Sequence, residues 1–476
     1  MSAIEHAFKS ILVCPSCRTP LNEGFSFSGK GCSKCHTRFF DLKGLPCLFP
    51  AGISQKLLWE DLYAKFLQET TAVREENAQS VNQVGLSPMT RKRMADYAAI
   101  QSACHKDIES VLQRTGLSPK LDSRFKNYSA KGFVQYYELM LRDWAWQGLP
   151  AAETEKDAYR EYTPENDLAL THVLNTLPDK TAYKDKRMVV LGSGAGRLSW
   201  DLHQSLHTSL CAALDFNPLL SFVAHQLVKQ NTDITLSEGR RFPRSGLPEM
   251  HEWQLSCSDE VLNERRRTWH AFAADAWAPP FEWHTFDVVL TPWFLDINGC
   301  DAKYLIEQVS KLLKEGGTWI NYGPLLYPEE LPFDQQYTFD ELKHMFELAG
   351  FEMQGESFRS IPYTHSPLSE RGRVEDIWCS VFTMQLSSET HLNVDSSENK
   401  ADLFQLDHPP AWYILPHLPV PSLPKAWVPD TLQNIAVLVN GERSINEIAD
   451  ALKHSLPEDH NPVEFVYNFL EEFAFA

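Results

Sequence analysis

Residues 187–198, RMVVLGSGAGRL, constrain this chain more than any other stretch. A Met-Val-Val-Leu run of buried-strand character breaks at Gly192-Ser193-Gly194-Ala195-Gly196 and gives way to helical spacing. Glycine takes left-handed backbone without steric cost, so this cluster predicts a tight strand-to-helix turn that a ligand can approach closely. The N-terminus of the following helix favours negative charge, such as a carboxylate. CAALD, FDVVLT and TWINYG follow as further short apolar runs separated by helical patterns. That alternation predicts an α/β fold, a mostly parallel sheet covered on both faces.

The chemistry-bearing residues fall at the ends of these runs. CAALD closes on Asp215, where a carboxylate accepts both hydroxyls of a ribose at the edge of an open sheet. A dinucleotide would suit the same spacing, but GxGxG in place of GxGxxG favours S-adenosylmethionine. Asp275, in AADAW and read as lying ahead of the next strand, is a candidate for the adenine amine, with a solvated carboxylate as the alternative. FDVVLT runs into Pro292-Trp293-Phe294-Leu295-Asp296 at the carboxyl end, where open sheets bind ligands. Trp293 and Phe294 can wall a transferring methyl group, and Asp296 can orient an acceptor or take its proton. Alternatively the rings are core and Asp296 caps the next helix. Tyr322 and Tyr327 are candidate pocket walls, or packing residues.

Cys14-Pro-Ser-Cys17 and Cys32-Ser-Lys-Cys35 form two Cys-x-x-Cys knuckles separated by a hairpin-sized segment. Four thiolates at this spacing close a tetrahedron around zinc and leave no open position for water, which predicts a structural site. Acidic residues outnumber basic ones by 63 to 44, a net charge of −19. Such a surface repels phosphate backbones and argues against nucleic acid or an anionic membrane as a partner. MSAIEHAFKSILVCP lacks the charged start and apolar core of a signal peptide, and no apolar run approaches a membrane span, so a cytoplasmic location with reduced thiols is expected. The expected partner is a small-molecule or peptide methyl acceptor.

The 476 residues suggest roughly three folded units. We expect a zinc ribbon at 8–50, a helical addition at 54–180, and a catalytic core at 181–385 carrying an insertion at 231–270. A polar and proline-rich linker spans 386–429, and a small module with helical pattern spans 430–476. The insertion is locally basic through Arg240, Arg241, Arg244, Arg265, Arg266 and Arg267, either to receive an acidic ligand or as a solvated face.

Three resemblances add to this. The run ILVCPSCRTPL to CSKCHTRFFDLKGLPCLFP resembles the zinc-ribbon activator subunit of several tRNA and translation-factor methyltransferases. LMLRDWAWQG, VVLGSGAGRLSWDL, DVVLTPWFLDI and GGTWINYGPLLY resemble the carnosine N-methyltransferase family over about residues 130–385. The second resemblance implies a Rossmann-like class I methyltransferase core. It implies that Arg142 helps hold the methionine carboxylate, Gly192, Gly194 and Gly196 the amino-acid end, Asp215 the ribose and Asp296 the acceptor. The tail from Asp430 resembles the winged-helix peptide-binding proteins of the pyrroloquinoline quinone pathway, which implies a peptide substrate or else a packing module. Two acceptor-side features of the family are missing: Pro328 follows GPLLY where the family has His, and the tyrosine-rich element near the last strand reads VEDIWCSVF. The resemblance therefore implies a retained S-adenosylmethionine donor and an acceptor other than carnosine. A non-catalytic binding scaffold on the same fold is the remaining alternative.

Overall fold

The computed structural model describes residues 10–21, 31–126, 128, 130, 136–147, 163–240, 246–257, 263–297, 301–328, 331–368 and 373–385, with short stretches between 438 and 469. Its centre is a nine-stranded sheet. In chain order the strands are β1 (Phe40–Leu42), β2 (Leu45–Leu48), β3 (Arg187–Leu191), β4 (Leu210–Asp215), β7 (Trp269–Ala274), β8 (Phe286–Pro292), β9 (Leu313–Gly323), β10 (Phe351–Tyr363) and β11 (Arg373–Met384). A separate hairpin pairs β5 (Ile234–Arg240) with β6 (Glu249–Leu255). The sheet order is β1-β2-β7-β4-β3-β8-β9-β11-β10. From β2 to β9 neighbouring strands run parallel, while β11 is antiparallel to both β9 and β10. This is the α/β, Rossmann-like architecture, with the order reversing beside β3.

The period of two within each strand sorts the core into two layers. Met188 and Val190 of β3 point into one cluster, and Val189 and Leu191 into the other. The first face is covered by α1 (Ile53–Val81), α2 (Pro88–Thr115), α3 (Tyr137–Trp144), α4 (Glu165–Thr176), α5 (Arg197–Ser205) and α6 (Pro218–Ala224). The second face is covered by α8 (Ala302–Leu312), α9 (Phe339–Leu348) and the cysteine-bearing segment. Each fully buried Leu, Val or Phe in these layers contributes about 1.5–3 kcal/mol, offset largely by chain entropy.

Two boundaries differ from the sequence expectation. Residues 10–21 and 31–50 are not set apart from the core: β2 extends the sheet by pairing Cys47 and Leu48 with Ala273 and Ala274 of β7. Their knuckles dock on the loop after β7, where Val13 N–H donates to the Pro280 carbonyl at 3.0 Å and Arg18 donates to the carbonyls of Pro279 and Phe281. The insertion at 231–270 forms the β5–β6 hairpin and α7 (Asn263–Thr268), then gives its last two residues to β7. Within it, Arg265 donates to the Thr208 carbonyl at 3.0 Å and Arg266 is buried, so these two guanidiniums serve the fold. The hairpin is held by the helical addition: Tyr137 donates to the Ser237 carbonyl at 2.8 Å, and the indoles of Trp146 and Trp253 both donate to Glu238.

Of the tail at 430–476, the described part is α10 (Ile445–Leu452) and a few residues around it; the linker at 386–429 lies outside the described residues. Among the described residues no helix is long and apolar enough to cross a membrane.

Candidate active site

Parallel strands place their carboxyl ends on one edge, so four adjacent strands bring four loops together. β3 delivers the glycine turn, with positive φ of 72° at Gly192, 58° at Gly194 and 85° at Gly196. At Gly192 a Cβ would lie 2.4 Å from the ring of Phe294, and at Gly196 it would lie 2.9 Å from Ala224, so glycine is demanded by space as well as by φ. β4 ends on Asp215, which accepts from the Gly194 N–H and the Asn217 N–H, each at 2.8 Å. Desolvation pushes its carboxyl up to about 6, against the lowering by those two donors.

Asp275 precedes β8, as expected, and also directly follows β7, a strand the apolar runs did not reveal. The run WHAFAA is a buried strand between β4 and β2, built of Ala, Trp, His and Phe, which a Val/Ile/Leu criterion passes over. Its position after β7 puts Asp275 on the same edge as Asp215. Its carboxylate accepts from Trp277 N–H at 2.9 Å, and burial raises it to about 6.

α3 closes the edge from above. Trp144 donates its indole N–H to the Ala195 carbonyl at 2.7 Å, tying the helix to the glycine turn. Arg142 is buried and pairs with Asp143 at 2.7 Å and Glu165 at 3.2 Å. Its guanidinium also lies 4.9 Å from the centre of the Trp293 ring. Glu165, at the start of α4, is pushed up to about 7 by burial against the opposing pull of Arg142 and the Thr364 N–H.

β8 supplies the last wall. Trp293 is held at a φ of 45°, with its N–H donating to the Tyr322 carbonyl at 2.6 Å. Its ring meets Tyr322 edge-on at 4.9 Å and lies 6.3 Å from Tyr363. Phe294 turns the other way, against Gly192 and toward Trp277 at 6.5 Å, so it lines the glycine turn rather than the Trp293 side. Asp296 is 2% exposed. One carboxylate oxygen accepts from the Leu326 N–H at 2.7 Å, while the other is buried without a hydrogen-bond partner. Asp301, not Asp296, caps α8. The hydroxyl of Tyr327 donates to the Tyr337 carbonyl at 2.9 Å and so anchors the segment after β9.

Residues 255–371 match the family model described as Carnosine N-methyltransferase. The matched segment contains Asp275 and Trp293 to Asp296, and leaves the glycine turn and α3 outside it. The chain is also similar to the carnosine N-methyltransferase of Dictyostelium discoideum, 34% identical over 83 residues, covering 17% of this chain and 18% of that protein. With the carnosine N-methyltransferase of Schizosaccharomyces pombe it is 24% identical over 237 residues, covering 44% of this chain and 60% of that protein. The chain thus spans less than two thirds of the relatives it matches. A solved SAM-dependent methyltransferase from Methanosarcina mazei aligns with 45% of this chain and 98% of its own, at 14% identity and a TM-score of 0.30.

Outside the segment that matches this family model, Cys14, Cys17, Cys32 and Cys35 gather their sulfurs within 4.8 Å of one another. The Cys14–Cys35 and Cys17–Cys32 separations are 3.5 Å. Four thiolates at zinc's usual bond length stand about 3.8 Å apart, so the donor set fits a tetrahedral ion. Cys47 is buried in β2, outside that set.

Sequence reasoning missed Asp143, Glu165, Tyr363 and Glu375. Glu375 lies on β11 in register with the buried Ile377, Cys379 and Val381, so a carboxylate on an otherwise apolar period of two was the available signal. Glu165 heads its helix, where an acidic residue ordinarily needs no further explanation.

Proposed function

We propose that the protein is an S-adenosylmethionine-dependent methyltransferase acting on a nitrogen of a small molecule or peptide related to, but distinct from, carnosine. The observation that carries this reading is the convergence of the glycine turn, Asp215, Asp275 and Trp293 to Asp296 at the carboxyl ends of four adjacent parallel strands. The similarity to carnosine N-methyltransferases supports the same class. Gly192, Gly194 and Gly196 admit the amino-acid end of the donor, with Arg142 beside them for its carboxylate. Asp215 accepts the ribose hydroxyls, and Asp275 the adenine amine. Bound there, the donor supplies a methyl on a sulfonium sulfur, which keeps the bonding electron pair as a neutral thioether.

The chain's own part is alignment and proton handling. Charge at the sulfur is lost in the transfer, so the site needs a neutral nitrogen held in line more than it needs an oxyanion hole. Trp293, with Tyr322 and Tyr363 against it, offers a flat wall for the acceptor. The unpartnered oxygen of Asp296 can orient the acceptor N–H and take the proton released as the nitrogen gains its methyl. Desolvation raises that carboxyl above its usual range and makes it a better base. Phe294 and Tyr327, expected to touch the acceptor, serve in this reading to shape the turn and the segment after β9.

Cys14, Cys17, Cys32 and Cys35 hold a structural zinc in this proposal, and the units at 8–50, 54–180, 181–385 and 430–476 are its working parts. Binding of S-adenosylmethionine and S-adenosylhomocysteine measured by calorimetry tests the donor. Absence of binding would leave only a scaffold role. Extracts incubated with enzyme and donor, searched for mass gains of one methyl group, identify the acceptor. Asp296→Ala should then abolish most turnover while leaving donor affinity within about twofold. Cys14→Ser should lose the zinc, and unchanged metal stoichiometry would contradict the ribbon.

A further inference from the structure

On the Trp293 side of the site, polar atoms are buried without hydrogen-bond partners among the described residues: the indole N–H of Trp293, one oxygen each of Asp296 and Glu375, and the hydroxyl of Tyr322. Asp296, Glu375 and Tyr322 are 2%, 6% and 0% exposed. Glu375 and Asp296 come from β11 and the loop after β8: the Trp293 ring lies 6.3 Å from Tyr363, whose ring lies 5.2 Å from the Arg373 guanidinium that pairs with Glu375, and desolvation first, with the charge of Asp296 adding to it, pushes the Glu375 carboxyl up. Leaving several such atoms unpaired in one place is costly, and a native site does so where a ligand supplies the partners.

The charges around these atoms select that ligand. Arg142 is already taken up by Asp143 and Glu165. Arg373 is well exposed, pairs with the other oxygen of Glu375 and stacks 5.2 Å from the Tyr363 ring. Arg142 and Arg373 therefore face four carboxyl groups, so negative charge outweighs positive around these atoms. Arg359, exposed on the same face of β10, is the further cation. Trp293, Tyr322 and Tyr363 present aromatic surface beside the two carboxylates, an environment that favours an organic cation.

We propose that Glu375, with Trp293, Tyr322 and Tyr363 and on the same side as Asp296, forms a subsite for an alkylammonium group of the acceptor, while the free oxygen of Asp296 serves the nitrogen that is methylated. The acceptor then presents a cationic amine at that end. This deepens the methyltransferase reading and rests on it for the identity of the site. Glu375 lies in VEDIWCSVF, the element that departs from the tyrosine-rich family pattern, so the subsite belongs to this chain's own residues.

Three imidazole probes of graded charge test it on the full chain saturated with S-adenosylhomocysteine: histamine, which carries an alkylammonium, carnosine, which carries both charges, and imidazolepropionate, which carries only a carboxylate. Calorimetry should give histamine at least about tenfold tighter than imidazolepropionate, with carnosine between them. Glu375→Gln should shrink that gap to less than about threefold without moving S-adenosylhomocysteine affinity. Arg373→Gln, at an exposed position, should widen it, which keeps the idea testable if the buried variant fails to fold. Equal affinities, tighter imidazolepropionate, or no heat from histamine at millimolar concentration would overturn the subsite. The S-adenosylhomocysteine titration itself judges the donor reading separately. If it shows no binding, the methyltransferase reading falls, while the charge series run without it still decides whether the subsite exists.

Discussion

The two sides of this site are finished differently. On the donor side the carboxylates are met by the chain: Asp215 accepts two backbone N–H groups and Asp275 one, all supplied by turns that continue the strands. On the side proposed for the acceptor, the Trp293 indole, the Tyr322 hydroxyl and one oxygen each of Asp296 and Glu375 have no hydrogen-bond partner among the described residues. A backbone-satisfied pocket depends on turn geometry, and so it persists when surface residues change. A pocket of unsatisfied side chains is specific to one ligand and is altered by single substitutions.

The largest expected effect lies where both sides share a group. Arg142→Met would leave Asp143 and Glu165 buried without their cation, and about 3–5 kcal/mol of stability should be lost in a urea titration. A loss under about 1 kcal/mol would mean that α3 does not organise both pockets. Next, Gly192→Ala combines a left-handed φ of 72° with a contact on Phe294. It should weaken donor binding more than about tenfold, since the strain alone is of order 1–2 kcal/mol. Acceptor affinity measured on the donor-free protein should stay within about twofold. Coupled loss of both would break the division between the sides.

Proton linkage gives a third, smaller effect. Asp215 has its carboxyl raised to about 6 in the fold, so its contribution to stability is present below its ordinary value near 3.8 and is lost as pH rises through 6. Ionised Asp215 is thus a burden on the unliganded chain that ribose hydroxyls relieve. S-adenosylhomocysteine affinity should be greatest above pH 6 and fall by up to about tenfold per unit below it. Asp215→Asn should flatten that profile, and an unchanged profile would remove Asp215 from the ribose. The smallest effect is at Tyr327. Its hydroxyl bonds to the Tyr337 carbonyl, so Tyr327→Phe should cost about 0.5–1.5 kcal/mol of stability and change acceptor KM less than about twofold.

The same division explains what the sequence could reveal. The glycine turn, Asp215 and the β8 loop were legible because each sits at a fixed offset from an apolar run, and geometry at a strand end is local. Asp275 was found without the strand that ends on it, because β7, half of it Ala, is secured by pairing with β4 and β2. Glu165, Tyr363 and Glu375 were not found as site residues. They meet Arg142, Trp293 and Asp296 only through the packing of α4, β10 and β11, separations that no spacing rule encodes. The docking of 10–21 and 31–50 onto the core was hidden for the same reason.

That docking sets an order of events in synthesis. Arg18 bonds carbonyls that lie 261 and 263 residues further along the chain. At ribosomal rates those partners emerge on the order of ten to fifty seconds later. Until then Leu12, Phe39 and Leu48, all buried in the finished protein, have no sheet to cover them. The first segment made is therefore among the last to seat, and when it does so it closes over the loop that carries Asp275. A nascent chain completes the edge that carries Asp275 only after both ends of the core exist, which makes the early segment a clasp and leaves the half-made protein exposed to chaperones and proteases.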